Sequence, residues 1–363
     1  MLHYILKRLL LIIPTLFGIM LINFIVVQFT PGGPVERTLA ALTLGQQADA
    51  TATFSGAGGD GGISPSSDSS KDYTIHGYDP EIVKKIEKEF GFDKPASERF
   101  INMILSYLKF DFGESFYRSI PVTDLILEKL PVSISLGLWT MLISYLISIP
   151  LGIKKAVRDG SPFDIWTSAV IIVSYAIPGF LFAILMIVMF AGGSYWQIFP
   201  LRGLISDNWS LLPWYKQILD YIWHLTLPVL SMAISGFATL TLLTKNSMTE
   251  ELRKQYVITA KMKGLSEHKV LYSHVVRNAM LLVISGFPSA FVGIFLTGSL
   301  IVETLFSLDG LGLLGFESIV NRDYPVVFGT LYIFSLVGLL VNIVSDIVYV
   351  IIDPRINFNS RSL

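Results

Sequence analysis

Gln255-Tyr256-Val257-Ile258-Thr259-Ala260-Lys261-Met262-Lys263-Gly264-Leu265-Ser266 is a polar, basic island between two long apolar stretches. The chain around it is built to dissolve in lipid. Of its 363 residues, 52% are hydrophobic and only 15% charged, whereas a soluble domain carries about 25% charged residues. That deficit, with a mean hydropathy of +0.60, predicts an integral membrane protein. A net charge of −1 gives no electrostatic case for nucleic acid. The chain has no cysteine, which excludes disulfides and thiolate metal sites, and its five histidines lack zinc-site spacing.

Six stretches flank or surround the island that are long and apolar enough to cross a bilayer as helices: 9–29, 132–153, 165–190, 225–244, 279–300 and 326–350. Five contain no Asp, Glu, Lys or Arg, and the sixth contains only Asp346. Pro14, Pro150, Pro178, Pro228 and Pro288 mark kinks, with the sharpest bend expected at Pro178-Gly179. Lys7-Arg8 before an apolar run would suit a secretory signal. The run is too long for one, however, and no small-residue cleavage pattern follows it, so an uncleaved first span is expected.

Lysine and arginine set the orientation. Lys7 and Arg8, Lys154, Lys155 and Arg158, seven in the loop 245–278, and Arg355 and Arg361 make fourteen on one side. The short loops of the other side hold three, Arg202, Lys216 and Arg322. Both termini are therefore expected in the cytoplasm and the long loop 30–131 outside. Within that loop, 45–72 is rich in Gly, Ser and Asp and is expected to be a disordered insertion. Asp79-Pro80 opens an expected amphipathic helix over 80–90. Phe110, Phe112, Phe116 and Tyr117 should form a small folded patch, either a structural lid or a docking point for a delivery protein. Glu303 and Asp309 read as loop residues before Gly310-x-Gly312, not as an acid pair.

The island itself reads as helix, turn, helix. Ser247-Met248-Thr249-Glu250 fits a capping box. Met248, Leu252, Tyr256, Ala260 and Gly264 then repeat every four residues as one stripe that narrows towards its end, which would let another surface approach closely. Gly264 can stop the helix at positive φ. Ser266 can cap a second helix with Val270, Leu271 and Val275 on its apolar side. On these residues alone, a basic loop lying on the lipid surface remains the alternative.

Tyr256-Val257-x-Thr259-Ala260-Lys261-x-Lys263-Gly264-Leu265-Ser266-Glu267 resembles the cytoplasmic signature of permease subunits of ATP-binding-cassette importers, in particular the B-type subunit of the dipeptide/oligopeptide family. Tyr4-Ile5-Leu6-Lys7-Arg8, Pro31-Gly32-Gly33-Pro34, His224-Leu225-x-Leu227-Pro228, Asn321-Arg322-Asp323-Tyr324-Pro325 and Asp353-Pro354-Arg355 are similar to that family along nearly the whole chain. Phe112-Gly113-x-Ser115, Ala191-Gly192-Gly193-Ser194-Tyr195 and Phe199-Pro200-Leu201-Arg202-Gly203-Leu204 look most like its Yej-type branch, associated with import of microcin C and other peptides. The wider importer signature has a glutamate where Ile258 stands, so any salt bridge of that glutamate is missing here.

The resemblance implies an all-α fold of six spans with cytoplasmic coupling helices and a large periplasmic loop. The first span would be 1–29, the permease core 132–350 and the cytoplasmic tail 351–363, in a bacterial inner membrane. It implies that Leu252, Tyr256, Thr259, Ala260, Lys261, Lys263, Gly264, Leu265 and Ser266 form the ATPase-coupling element. It also implies a paralogous second permease, ATPase subunits that bind ATP and Mg, a periplasmic peptide-binding protein and a peptide substrate. No cofactor is expected in this chain and no catalytic role. No Gly-Lys dipeptide occurs in the sequence, so a Walker A phosphate loop is excluded and the motor must be another subunit. The alternatives are an ion-coupled secondary carrier, which the near-absence of charge in the spans disfavours, and a non-transporting membrane scaffold.

Overall fold

The computed structural model describes residues 2–29, 94–193, 195–297 and 300–352. The insertion expected at 45–72, the helix at 80–90 with its Asp79 cap, Pro31-Gly32-Gly33-Pro34 and the tail from 353 onward lie outside these residues. Among the described residues the regular structure is helical, with one isolated bridge between Glu114 and Pro121. The helices are α1 (Leu2–Phe29), α2 (Ala96–Tyr107), α3 (Val122–Val157), α4 (Pro162–Ala176), α5 (Gly179–Phe190), α6 (Trp214–Leu252), α7 (Gln255–Met262), α8 (Glu267–Val270), α9 (Val276–Thr297), α10 (Leu300–Leu305), α11 (Leu311–Asn321) and α12 (Tyr324–Ile352). A π-helical turn, Leu271–Val275, joins α8 to α9.

Among the described residues four helical stretches are long and apolar enough to cross a membrane: Ile5–Val26, Val122–Val157, Glu267–Phe287 and Tyr324–Ile347. Two bent pairs bring the count to as many as six. In one, α4 and α5 meet at 96°; in the other, Trp214–Ile234 and Gly236–Leu252 of α6 meet at 51°. The first bend falls at the expected Pro178-Gly179. The ring of Pro178 disfavours α-geometry in the residue before it, and Ile177 is accordingly extended at φ −84°, ψ 118°. Side chains such as Ile13, Leu146, Trp166 and Ile172 are exposed along these helices, as lipid contact requires.

Several expected boundaries move. The second span begins at Val122 instead of 132 and passes through Pro131. Lys129, within the added turns, is almost buried and neutralised by Asp309 at 2.5 Å and Glu128 at 2.7 Å. The fourth span is longer than 225–244, and the capping box at Ser247 to Glu250 opens no helix. Both residues lie inside α6, and Ser247 Oγ instead donates to the carbonyl of Ala279 at 2.8 Å. Glu303 is not a loop residue. It sits in α10, fully buried, and its Oε2 accepts from Leu313 N at 2.8 Å. Gly310 and Gly312 make this possible, since a Cβ at Gly310 would lie 2.7 Å from the Glu303 carboxyl carbon. Asp309 does lie in the turn.

The chain divides into two compact units, Met1–Leu16 with Asp124–Glu317 and Thr330–Leu363, and Phe17–Thr123 with Ser318–Gly329. The first holds an apolar core of Leu136, Ala183, Leu225, Leu227, Val229, Val302 and Phe306. Asp346, the lone charge of the sixth predicted span, pairs there with Arg8 at 3.1 Å. In the second, Phe17 and Phe24 close on Phe100 at 5.5 and 5.2 Å between ring centres. The aromatic patch expected around Phe110 is folded. Phe112 is buried against Tyr107 at 4.8 Å, while Phe110, Phe116 and Tyr117 face outward. Asp323 clasps the patch, accepting from Ser115 Oγ at 2.5 Å and from Phe116 N at 3.1 Å.

Candidate coupling surface

The site is built on the break between α6 and α7. α6 ends at Leu252, and Lys254 turns extended at φ −74°, ψ 149° before α7 restarts at Gln255. α7 stops two turns later. Gly264 takes φ +78°, a conformation that glycine alone adopts without a Cβ penalty, and its N–H donates to Lys261 O at 2.9 Å. Ser266 Oγ then accepts from Lys269 N at 3.4 Å and opens α8. The helix–turn–helix reading holds in outline. The second helix is not a separate short one, however, because the π-helical turn carries it into α9.

The four-residue stripe packs inward from Met248 to Ala260, and its last member, Gly264, is exposed. Met248 is fully buried and Ala260 nearly so, in a core with Ile153 and Ala156 of α3, Val257, Val270, Val275 and Ala279. Leu252, Tyr256 and Leu265 pack against that core half-buried. Each aliphatic side chain removed from water in this way contributes about 1.5–3 kcal/mol, so the inward side of α7 is fixed firmly to the ends of α3, α6 and α9. Tyr256 adds a hydrogen bond from its hydroxyl to Glu251 Oε2 at 2.6 Å, and Lys254 pairs with the same carboxylate. These groups brace the α6–α7 corner.

The outward side presents a different set. Thr259, Lys261, Lys263, Gly264 and Ser266 are exposed, as are two residues the stripe reading passed over, Ile258 at 49% and Met262 at 84%. Ile258 and Met262 are four residues apart and share one side of α7. Lys261 and Lys263 flank Met262. Lys261 has only a loose contact with Glu267, 3.7 Å between two exposed side chains, which holds it weakly. The Thr259 hydroxyl is spent on Gln255 O at 3.1 Å. The patch therefore offers two apolar knobs, one of them an adaptable methionine, ringed by ammonium groups on a short rigid helix. Nothing in it pairs a nucleophile with a base. Among the described residues there is no cluster of His, Asp or Glu able to hold a metal ion. The signal for Ile258 and Met262 was present in the sequence as an apolar pair at helical spacing beside lysines, on the side opposite the stripe.

Residues 148–358, which contain the whole α6–α9 corner, match the family of binding-protein-dependent transport system inner membrane components. A peptidoglycan transport system permease protein, YejB, of Agrobacterium fabrum is 60% identical over 365 residues, covering 99% of each chain. An inner membrane ABC transporter permease protein, YejB, of Escherichia coli O157:H7 is 58% identical, again over 99% of each. The dipeptide transport system permease protein DppB of Escherichia coli K12 is 30% identical over 98% of this chain and 99% of its own. A chain of several apolar spans, related over nearly its full length to inner membrane permeases and matched by the family model across more than half of itself, belongs to the binding-protein-dependent transport system inner membrane components.

Proposed function

We propose that this chain is one of two permease halves of an ATP-driven importer of peptides and peptide conjugates, and that the outward side of α7 is where the ATPase docks. Relatives whose names carry dipeptide and peptidoglycan transport support the cargo class, and microcin-like conjugates fall within it. The lysine and arginine distribution supports cytoplasmic termini, a cytoplasmic loop 245–278 and a periplasmic loop 30–131. The core 132–350 pairs with a paralogous permease. ATP and Mg are bound by the ATPase subunits, and a periplasmic binding protein delivers the peptide.

The observation that carries this reading is the two-sided nature of α7. Its inner side is fixed into the chain's own core, so a force applied to Ile258 and Met262 is passed to the spans and not absorbed locally. Such a helix suits a motor's point of attachment, which needs differential contact in two states. The test uses the full transporter reconstituted in vesicles. Met262→Glu should release the ATPase on purification. Gly264→Val, which forces a β-branched residue to φ +78°, should abolish ATP-driven peptide uptake while membrane insertion persists. Unchanged uptake and unchanged ATPase retention would overturn the assignment.

A further inference from the structure

Among the described residues Lys155 is one of the largest side chains that are fully buried. It lies in the last turn of α3, and its ammonium is saturated by α4. Nζ donates to Asp164 O at 2.9 Å, Thr167 Oγ1 at 2.7 Å and Ser168 Oγ at 2.8 Å. Asp164 Oδ1 also lies 2.9 Å away, close in charge but out of hydrogen-bond alignment. The other oxygen of Asp164 accepts from Lys245 Nζ of α6 at 2.7 Å and from Gly160 N at 3.2 Å. Lys245 reaches further, to Asp159 Oδ1 at 3.0 Å. Two lysines and two aspartates thus join the end of α3, the start of α4 and the middle of α6's last turns.

Buried ions are costly to desolvate, and an apolar group of equal volume would usually pack at least as well. What an ion cluster adds is a fixed geometry among elements. Here the elements are the ones that matter for coupling. Lys245 lies two turns before Leu252, where α6 passes into α7. One turn before Lys155, Gly152 lets α3 approach Thr244 and Thr241 of α6 closely. Beyond the cluster, α4 runs to the 96° break at Ile177 and Pro178.

We infer that Asp164, held between Lys155 and Lys245, is a positioning residue for transport that makes α4 move with α6 when α7 is displaced. The inference rests on the reading of α7 as the docking helix. The cluster carries the displacement past the loop and delivers it to the broken span. Without it, α6 would still follow the ATPase, but α4 would lag behind.

Lys245→Met tests this, because it cuts the α6 arm and leaves the Lys155–Asp164 pair intact. In the reconstituted transporter the variant should keep its ATPase bound and hydrolysing ATP. Its peptide uptake per ATP hydrolysed should fall at least tenfold, and Lys245→Arg should restore most of it. An unchanged ratio overturns the inference. So does joint loss of ATPase binding and uptake, since the cluster would then serve assembly. The docking reading fails separately, if Met262→Glu leaves the ATPase attached. A second measurement needs no disruptive change. This chain has no cysteine, so spin labels at Trp166→Cys on α4 and Glu250→Cys on α6 are unique within it once the partner subunits are cysteine-free, and both positions are exposed. Their separation should stay constant between nucleotide-free and nucleotide-bound transporter, and a shift of several ångströms overturns rigid coupling.

Discussion

Gly152→Ala tests the close approach of α3 to α6. A Cβ at Gly152 would lie 2.6 Å from Thr244 Cβ, 2.8 Å from Thr244 Cγ2 and 2.9 Å from the carbonyl oxygen of Thr241. Carbon atoms in contact sit about 3.5–4.0 Å apart, so the helices must part by roughly 1 Å. Neither neighbour yields easily. Thr244 is fully buried and its hydroxyl is committed to Leu240 O at 2.8 Å, and the Thr241 oxygen is backbone. Overpacking of this kind costs about 1–3 kcal/mol. Opposing it, Ala is favoured over Gly within a helix by about 0.8–1.0 kcal/mol. The firm backbone contact argues for the upper half of the first range, leaving a net loss of about 1–2 kcal/mol. For a domain of about 150–250 residues that is a fall of roughly 2–8 °C in the unfolding midpoint. Gly18→Ala in α1 is the control, since nothing lies within 4 Å of its added Cβ, and it should be neutral or slightly stabilising. The assay is a thermal scan of both variants and the parent, purified in the same detergent. If Gly152→Ala raised the midpoint as Gly18→Ala does, the close approach of α3 to α6 would be refuted.

Two further outcomes follow from the buried carboxylate and the helix cap. Burial pushes the Glu303 carboxyl above the ordinary carboxylate range, an effect that its hydrogen bonds from Leu313 and Gly312 only partly offset. A raised folded-state value means that the unfolded chain releases this proton first, so the contribution of Glu303 to stability is full at acid pH and is lost as pH rises through the folded value. Thermal midpoints compared between about pH 5 and pH 8 should therefore fall less in Glu303→Gln than in the parent, and equal slopes would refute the burial argument. Ser266→Ala removes the cap of α8 and should cost about 1 kcal/mol, read as faster amide exchange at Lys269 with no change at Ala260; uniform exchange rates across the corner would contradict it.

The spans were legible because apolar length is a property of composition, and the α4–α5 bend because Pro178 restricts Ile177 locally. What misled was every motif whose partner is distant in sequence. Ser247 has the sequence context of a cap, yet Ala279, on α9, claims its hydroxyl. The second span was expected to begin at 132, yet α3 begins at Val122 and carries Lys129, which Asp309, 180 positions on in sequence, neutralises. Glu303 looks like a solvated turn residue, and only the space left by Gly310 and Gly312 shows why it is inside. In the loop 245–278 the pattern marked the helix and its stop at Gly264 but not which side of α7 faces inward. A four-residue apolar stripe is more economically buried at home than offered to a partner, and the offered residues were the apolar pair that did not fit the stripe.

The break between α4 and α5 constrains the surroundings of the molecule. A helix end leaves up to four carbonyls, and a helix start up to four N–H groups, without partners along the axis. Hydrocarbon cannot solvate such groups, each of which costs several kcal/mol in lipid. In the isolated chain Ala176 and Pro178 at the break are exposed. Where this pair crosses the bilayer, acyl chains are therefore an unfit neighbour for that stretch of backbone. Its proper solvent is water in a passage or the polar groups of another polypeptide, which makes the break a local marker of where the lipid boundary of the assembled complex must stop.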